Sequence, residues 1–178
     1  MLQSVLPASG VVLEIASGTG EHVVRFADAL PDIVFQPSDP DAERRASIDA
    51  WSAGRANIRA AIDLDAVQLW PPMAVEAVVC INMIHIAPWS ATEGLMRNAA
   101  AALGPGGVLI LYGPFLRDGA HTGPGNVAFD ADLRARVPRW GVRALEDVSS
   151  LAAAHGYLAA QIVAMPADNL SVVYRRGG

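Results

Sequence analysis

Short unbroken apolar runs alternate along the chain with longer stretches in which apolar residues recur every three or four positions. Residues 11–16 are the first run, apolar but for Glu14 and so expected of a strand covered on both faces. From Gly20 to Leu30 the spacing of Val23, Val24, Phe26, Ala27 and Leu30 predicts a helix that Pro31 stops. A short strand over 33–36 follows, then a helix over 41–53 closed by Gly54, then a strand over 57–62. A strong apolar strand covers 75–81. The Ala-rich helix over 89–103 ends at Gly104-Pro-Gly-Gly107, and a fifth strand covers 108–112. After a helix over 145–155, strands at 158–165 and 170–175 are separated by only Pro166 to Asn169.

Alternating strands and helices predict a mostly parallel sheet. The last connection is too short for a parallel crossover, so the final pair is antiparallel. The expected fold is thus α/β and doubly wound, with seven strands ending in a hairpin, in one domain over 1–178. Only 113–144 breaks the rhythm. It is rich in glycine and proline and holds one short helical pattern near 129–137, so it reads as a lid or substrate wall at the edge where open α/β sheets bind ligands.

Composition narrows the class. At 52% hydrophobic residues the chain folds, and its net charge of −5 argues against bulk electrostatic binding of nucleic acid. The longest apolar run, Ala77 to Ile86, is too short to span a bilayer and contains Asn82 and His85. With one cysteine, Cys80, neither a disulfide framework nor a multi-cysteine metal site is available. No His/Asp/Glu grouping has metal-ligand spacing, and no signal peptide is visible, so a cytoplasmic location is expected.

The candidate chemistry gathers at the predicted strand ends. Gly18 and Gly20 let the chain turn tightly and bring backbone against a ligand. Glu14 lies in the strand before them and, if buried, needs donors. Asp39 falls about twenty residues beyond the turn, where a carboxylate accepts ribose hydroxyls. Asp65 follows the third strand, placed to accept an adenine amine. A nicotinamide dinucleotide calls for a third glycine where Val23 stands. A rim of carboxylates suits the cationic sulfonium and amino groups of S-adenosylmethionine better.

Leu13-Glu-Ile-Ala-Ser-Gly-Thr-Gly-Glu-His22, Phe35-Gln-Pro-Ser-Asp39, Asn82-Met-Ile-His-Ile86, Gly104-Pro-Gly-Gly107, Leu111-Tyr-Gly-Pro-Phe115 and Met165-Pro-Ala-Asp-Asn169 together resemble the class I S-adenosylmethionine-dependent methyltransferases. They are similar above all to the uncharacterised methyltransferase-like protein 26 group and its bacterial relatives. The resemblance implies a seven-stranded cofactor-binding fold without fixing a substrate. Two features depart from it. Ala16 replaces the first glycine of the general motif, and only about ten residues precede the first strand where that family carries a further segment with an Arg-Asn pair. If that segment covers the cofactor, the expectation here is an open pocket or another lid, the alternatives being a mis-assigned start or a truncated form.

These readings give a candidate cofactor set of Glu14, Ala16, Ser17, Gly18, Gly20, His22, Asp39, Leu64, Asp65, Ala66, Asn82 and Met83. His85 is the candidate base, because imidazole titrates near neutral pH; a histidine hydrogen-bonded at a helix start is the competing reading. Trp89, Tyr112, Phe115, His121, Asn126 and Asn169 are candidate acceptor contacts. Arg134, Arg136, Arg139 and Arg143 read as a solvated face, or alternatively as a site for an acceptor's anionic group. The expected activity is methyl transfer to a small molecule, by a monomer or a homodimer. The alternatives are a non-catalytic cofactor-binding protein of the same fold and, behind it, a nicotinamide-dependent oxidoreductase.

Overall fold

The computed structural model describes residues 2–178. A six-stranded mixed sheet forms its centre. Strands β1 (Gly10–Ile15), β2 (Ile33–Pro37), β3 (Val75–Ile81) and β4 (Leu103–Gly113) run parallel, while β9 (Leu170–Arg175) pairs antiparallel with β4 and with β8 (Gln161–Ala164). The order across the sheet is β2-β1-β3-β4-β9-β8, with the terminal pair forming the expected hairpin.

Alternation of side chains along each strand splits the core into two layers. Val12, Val79, Ile110 and Val173 face α1 (Leu2–Val5), α2 (Glu21–Ala29) and α3 (Ala42–Ser52). Leu13, Val78, Leu111 and Tyr174 face α4 (Trp89–Ala102) and α6 (Leu145–Ala154). Asp41 caps α3 by accepting from the Glu43 and Arg44 N–H groups, at 2.8 and 3.3 Å. Gly20 begins α2 at φ 93°, and a Cβ there would lie 2.8 Å from the Ile48 Cα, so the α2–α3 contact requires glycine.

One expectation is corrected. Residues 57–62 are not a regular seventh strand but follow β2 through two isolated bridges, Phe35 to Ile58 and Ser38 to Ile62. Pro37 has no N–H to donate between them, so the ladder breaks and its register slips by one residue; the Gln36 amide instead donates to the Ala60 carbonyl at 2.8 Å. The excursion over 113–144 is more ordered than its composition suggests. Strands β5 (Phe115–Arg117), β6 (Ala120–His121) and β7 (Arg143–Ala144) form a small sheet of their own, and α5 (Pro124–Arg136) spans the helical pattern. Among the described residues no helix is long and apolar enough to cross a membrane.

Candidate functional site

The carboxyl ends of β1, β2 and β3 carry the first group of side chains. Glu14 is 2% exposed on the α2 face of β1, in register with Val79. Its Oε2 has no hydrogen-bond partner among the described residues. Burial pushes its pKa up to about 7, with the Ser17 hydroxyl pulling the other way. A buried carboxyl with a free oxygen calls for a cationic or hydrogen-donating ligand.

The turn beyond β1 is tied across to β2. Asp39, buried just past β2, accepts from the Gly18 N–H at 3.1 Å through one oxygen and from the Asp41 N–H at 3.0 Å through the other. The Ser38 hydroxyl donates to the Glu14 carbonyl at 2.7 Å, and the Ser38 N–H donates to the Ser17 hydroxyl at 3.3 Å. Each Asp39 oxygen keeps a lone pair for a further donor.

Asp65 sits in a loop that α4 holds in place. Its Oδ1 accepts from the Val67 N–H at 2.9 Å, while the Asn98 amide donates to the Ala66 and Gln68 carbonyls at 3.2 and 2.7 Å. Gly94 lets α4 approach, since a Cβ there would run into the Ala66 carbonyl. Leu64 and Ala66 are buried beside it, and their side chains pack into the core on the α4 side.

Backbone strain marks the same edge. Ala16 at φ 54° and Asn82 at φ 58° are left-handed residues just past β1 and β3. The Asn82 N–H donates to the Tyr112 carbonyl at 2.8 Å. Gly113, at φ 157°, closes this corner. A Cβ there would lie 2.7 Å from His85 Nε2 and 2.9 Å from Asn82 Oδ1.

The geometry of His85 does not suit the base expected of it. The residue is fully buried and its ring meets Phe115 edge-on at 5.1 Å. Burial and the Arg143 guanidinium push its pKa down to about 3, while the Gly141 backbone and Asp130 act oppositely. Its Nδ1 accepts the Arg143 N–H at 3.3 Å, which puts the proton of the neutral ring on Nε2. The nitrogen turned toward Asn82 and Gly113 is therefore a donor without a lone pair, and the structure favours the competing, structural reading.

The expected acceptor contacts separate into three places. Tyr112 lies on the α2 face with its hydroxyl accepting from the Asn169 amide at 3.2 Å. His22 stacks on Phe26 at 6.1 Å and lines the same groove. Phe115 instead fills the opposite layer with no exposure, and Trp89 lies in that layer 5.9 Å from the Arg143 guanidinium. Met83 is buried there too. His121 belongs to the excursion, with Nε2 3.6 Å from Asp130 Oδ2. Asn126 is buried and donates to the Thr122 hydroxyl and the Asp168 carbonyl at 2.9 and 3.0 Å, which ties the excursion to the β8–β9 loop.

Arg134, Arg136 and Arg139 are exposed, as a solvated face requires, and only Arg143 turns into the fold. Arg134 pairs with Asp130 at 3.0 Å and Arg136 with Asp132 at 2.8 Å, while Arg143 donates to the Ile84, Ala87 and Arg139 carbonyls. Among the described residues no three His, Cys, Asp or Glu side chains are placed to hold a metal.

Sequence reasoning missed Ser171. It has no exposure, lies opposite Tyr112 on β9, and its hydroxyl has no partner among the described residues. Only the register of β9 against β4 reveals which layer it faces.

The fold is that of several solved methyltransferases. The S-adenosylmethionine-dependent methyltransferase SibL superposes with a TM-score of 0.80 at 21% identity, over 96% of this chain and 51% of that one. The mitomycin 7-O-methyltransferase MmcR gives 0.83 at 15% identity, over 95% and 49%. Human N-acetylserotonin methyltransferase, in complex with S-adenosylmethionine, gives 0.80 at 15% identity, over 99% and 51%. This chain thus spans about half the length of these proteins. At such identities the likeness establishes the fold. A family model described as "Protein of unknown function (DUF938)" matches residues 1–176, and the chain belongs to that family.

Proposed function

We propose that the chain is an S-adenosylmethionine-dependent methyltransferase acting on a small-molecule acceptor. The observation that carries this reading is Glu14, a buried carboxyl whose free oxygen lies at the end of β1 beside a strained turn held by Asp39. The solved structures that share the fold support it, as does the resemblance to the methyltransferase-like protein 26 group. The same reading places the protein in the cytoplasm as one domain, with the excursion walling the site.

The cofactor, when bound, supplies a methyl group already activated by its sulfonium. Asp39 binds the ribose hydroxyls, Gly18 and Gly20 admit the ligand against bare backbone, and Asp65 takes the adenine end. Glu14 offers its oxygen to the ligand's ammonium, and Asn82 orients the reacting end. Transfer of this kind depends mainly on alignment and exclusion of water, which suits a corner without a basic nitrogen.

The neutral, donor-only His85 gives some support to a second reading, a non-catalytic binder of the same cofactor. A nicotinamide cofactor is disfavoured because Val23, where its third glycine belongs, is fully buried in α2.

Calorimetric titration with S-adenosylmethionine, S-adenosylhomocysteine and NAD tests the assignment. The first two should bind and NAD should not. Asp39→Ala should weaken S-adenosylhomocysteine by roughly 10- to 100-fold, the worth of charge-assisted hydrogen bonds. Unchanged affinity in that variant removes Asp39 from the site. Methyl transfer across a metabolite panel then separates an enzyme from a binder.

A further inference from the structure

A groove of about 510 Å3 runs along the α2 face of the sheet, with far more apolar than polar surface. Two cross-strand rows form its floor. Ile81, Tyr112 and Ser171 make the row nearest the carboxyl ends of the parallel strands, and Val79 and Ile110 lie one step inside it. Phe26 and Ala29 of α2 form one wall. The size and lining are those of a small-molecule site rather than a packing defect.

Two observations identify the occupant. The groove's outer row includes Ile81, immediately before Asn82, and His22 also lines it, so the groove borders the candidate cofactor corner. The floor carries two hydroxyls, that of Tyr112, which accepts from the Asn169 amide, and that of Ser171, which is buried without a partner among the described residues. An unpaired buried hydroxyl is costly unless a ligand completes it. A ligand that fits is apolar over most of its surface, with one hydrogen-bonding group at the Ser171 end.

We propose that the acceptor is a largely apolar molecule bearing a hydroxyl, seated in this groove with the hydroxyl at Ser171 and Tyr112; the assignment rests on the methyl-transfer reading above. In the reaction the acceptor oxygen bonds to the methyl carbon as the methyl–sulfur bond breaks with its electron pair going to sulfur. The hydroxyl proton passes to water, since His85 Nε2 already carries a proton.

The test uses 1-naphthol, followed by its own fluorescence, with S-adenosylhomocysteine present, and naphthalene as the analogue lacking the hydroxyl. One saturable site is expected. Ala29→Trp fills the groove from an exposed helix position and should weaken 1-naphthol by about tenfold or more. Ser171→Ala should weaken 1-naphthol by about five- to tenfold, one hydrogen bond's worth, and leave naphthalene within about twofold. Both variants should bind S-adenosylhomocysteine as the wild type does, which shows that they fold. Equal 1-naphthol affinity in Ala29→Trp, or equal losses for both probes in Ser171→Ala, overturns the groove assignment. So does a lack of saturable 1-naphthol binding by protein that binds S-adenosylhomocysteine. If S-adenosylhomocysteine fails to bind while 1-naphthol does, the methyl-transfer reading fails and takes the acceptor assignment with it.

Discussion

Glu14→Gln isolates the energetic consequence of burying a carboxyl with one oxygen unpaired. Its pKa rises from 4.5 to about 7 because burial disfavours the charged form. That difference corresponds to about 3 kcal/mol between the two protonation states. A pKa raised on folding means that the protonated carboxyl favours the fold. Its contribution is fully present below pH 4.5, is lost as pH rises through about 7, and is absent above that. Glutamine resembles the protonated acid and does not titrate. Urea denaturation of both proteins between pH 5 and 8.5 therefore tests the argument. Wild type should lose roughly 2–3 kcal/mol across this range relative to Glu14→Gln, and the variant should be the more stable at pH 8.5 by a similar amount. Parallel profiles for the two proteins, or a wild type that gains on the variant as pH rises, refute the reasoning. An ammonium-bearing ligand at Glu14 should restore the loss, so S-adenosylhomocysteine should stabilise wild type more at pH 8.5 than at pH 5, measured by its shift of the denaturation midpoint.

Other substitutions probe the scaffold around the site. Ala16→Gly should stabilise the protein by about 0.5–1 kcal/mol in urea denaturation, because φ 54° costs alanine more than the added chain entropy costs glycine. Gly94→Ala should cost about 2–3 kcal/mol or more and loosen the Asp65 loop, because the new methyl meets the Ala66 carbonyl; hydrogen exchange at Val67 should rise with it.

Much of this architecture is local and so was legible in the sequence. Continuous apolar runs gave the parallel strands, and Pro166 to Asn169 was too short for anything but a hairpin. The glycine turn and Asp39 were legible as a pair because a ligand-gripping carboxylate recurs at a fixed distance from such a turn, and the Gly18–Asp39 bond places them together. What failed depended on the third dimension. The apolar pattern at 57–62 called for a strand, but the missing Pro37 N–H breaks the ladder on the neighbouring strand. Strands of two or three residues, as in β5, β6 and β7, carry no readable period. The expected acceptor contacts joined Tyr112 and Phe115, yet three residues apart along an extended chain they fall in opposite layers by side-chain alternation alone. The proton position on His85 is set by a backbone N–H from Arg143, 58 residues away, and nothing near His85 in the sequence signals it.

A structure of the protein with S-adenosylhomocysteine tests the central claim most directly. The account predicts the ribose on Asp39, the ligand's ammonium beside Glu14, and its sulfur directed toward Asn82 and the mouth of the groove. A ligand bound anywhere else, or a crevice between β1 and β3 that stays closed at saturating ligand, contradicts it.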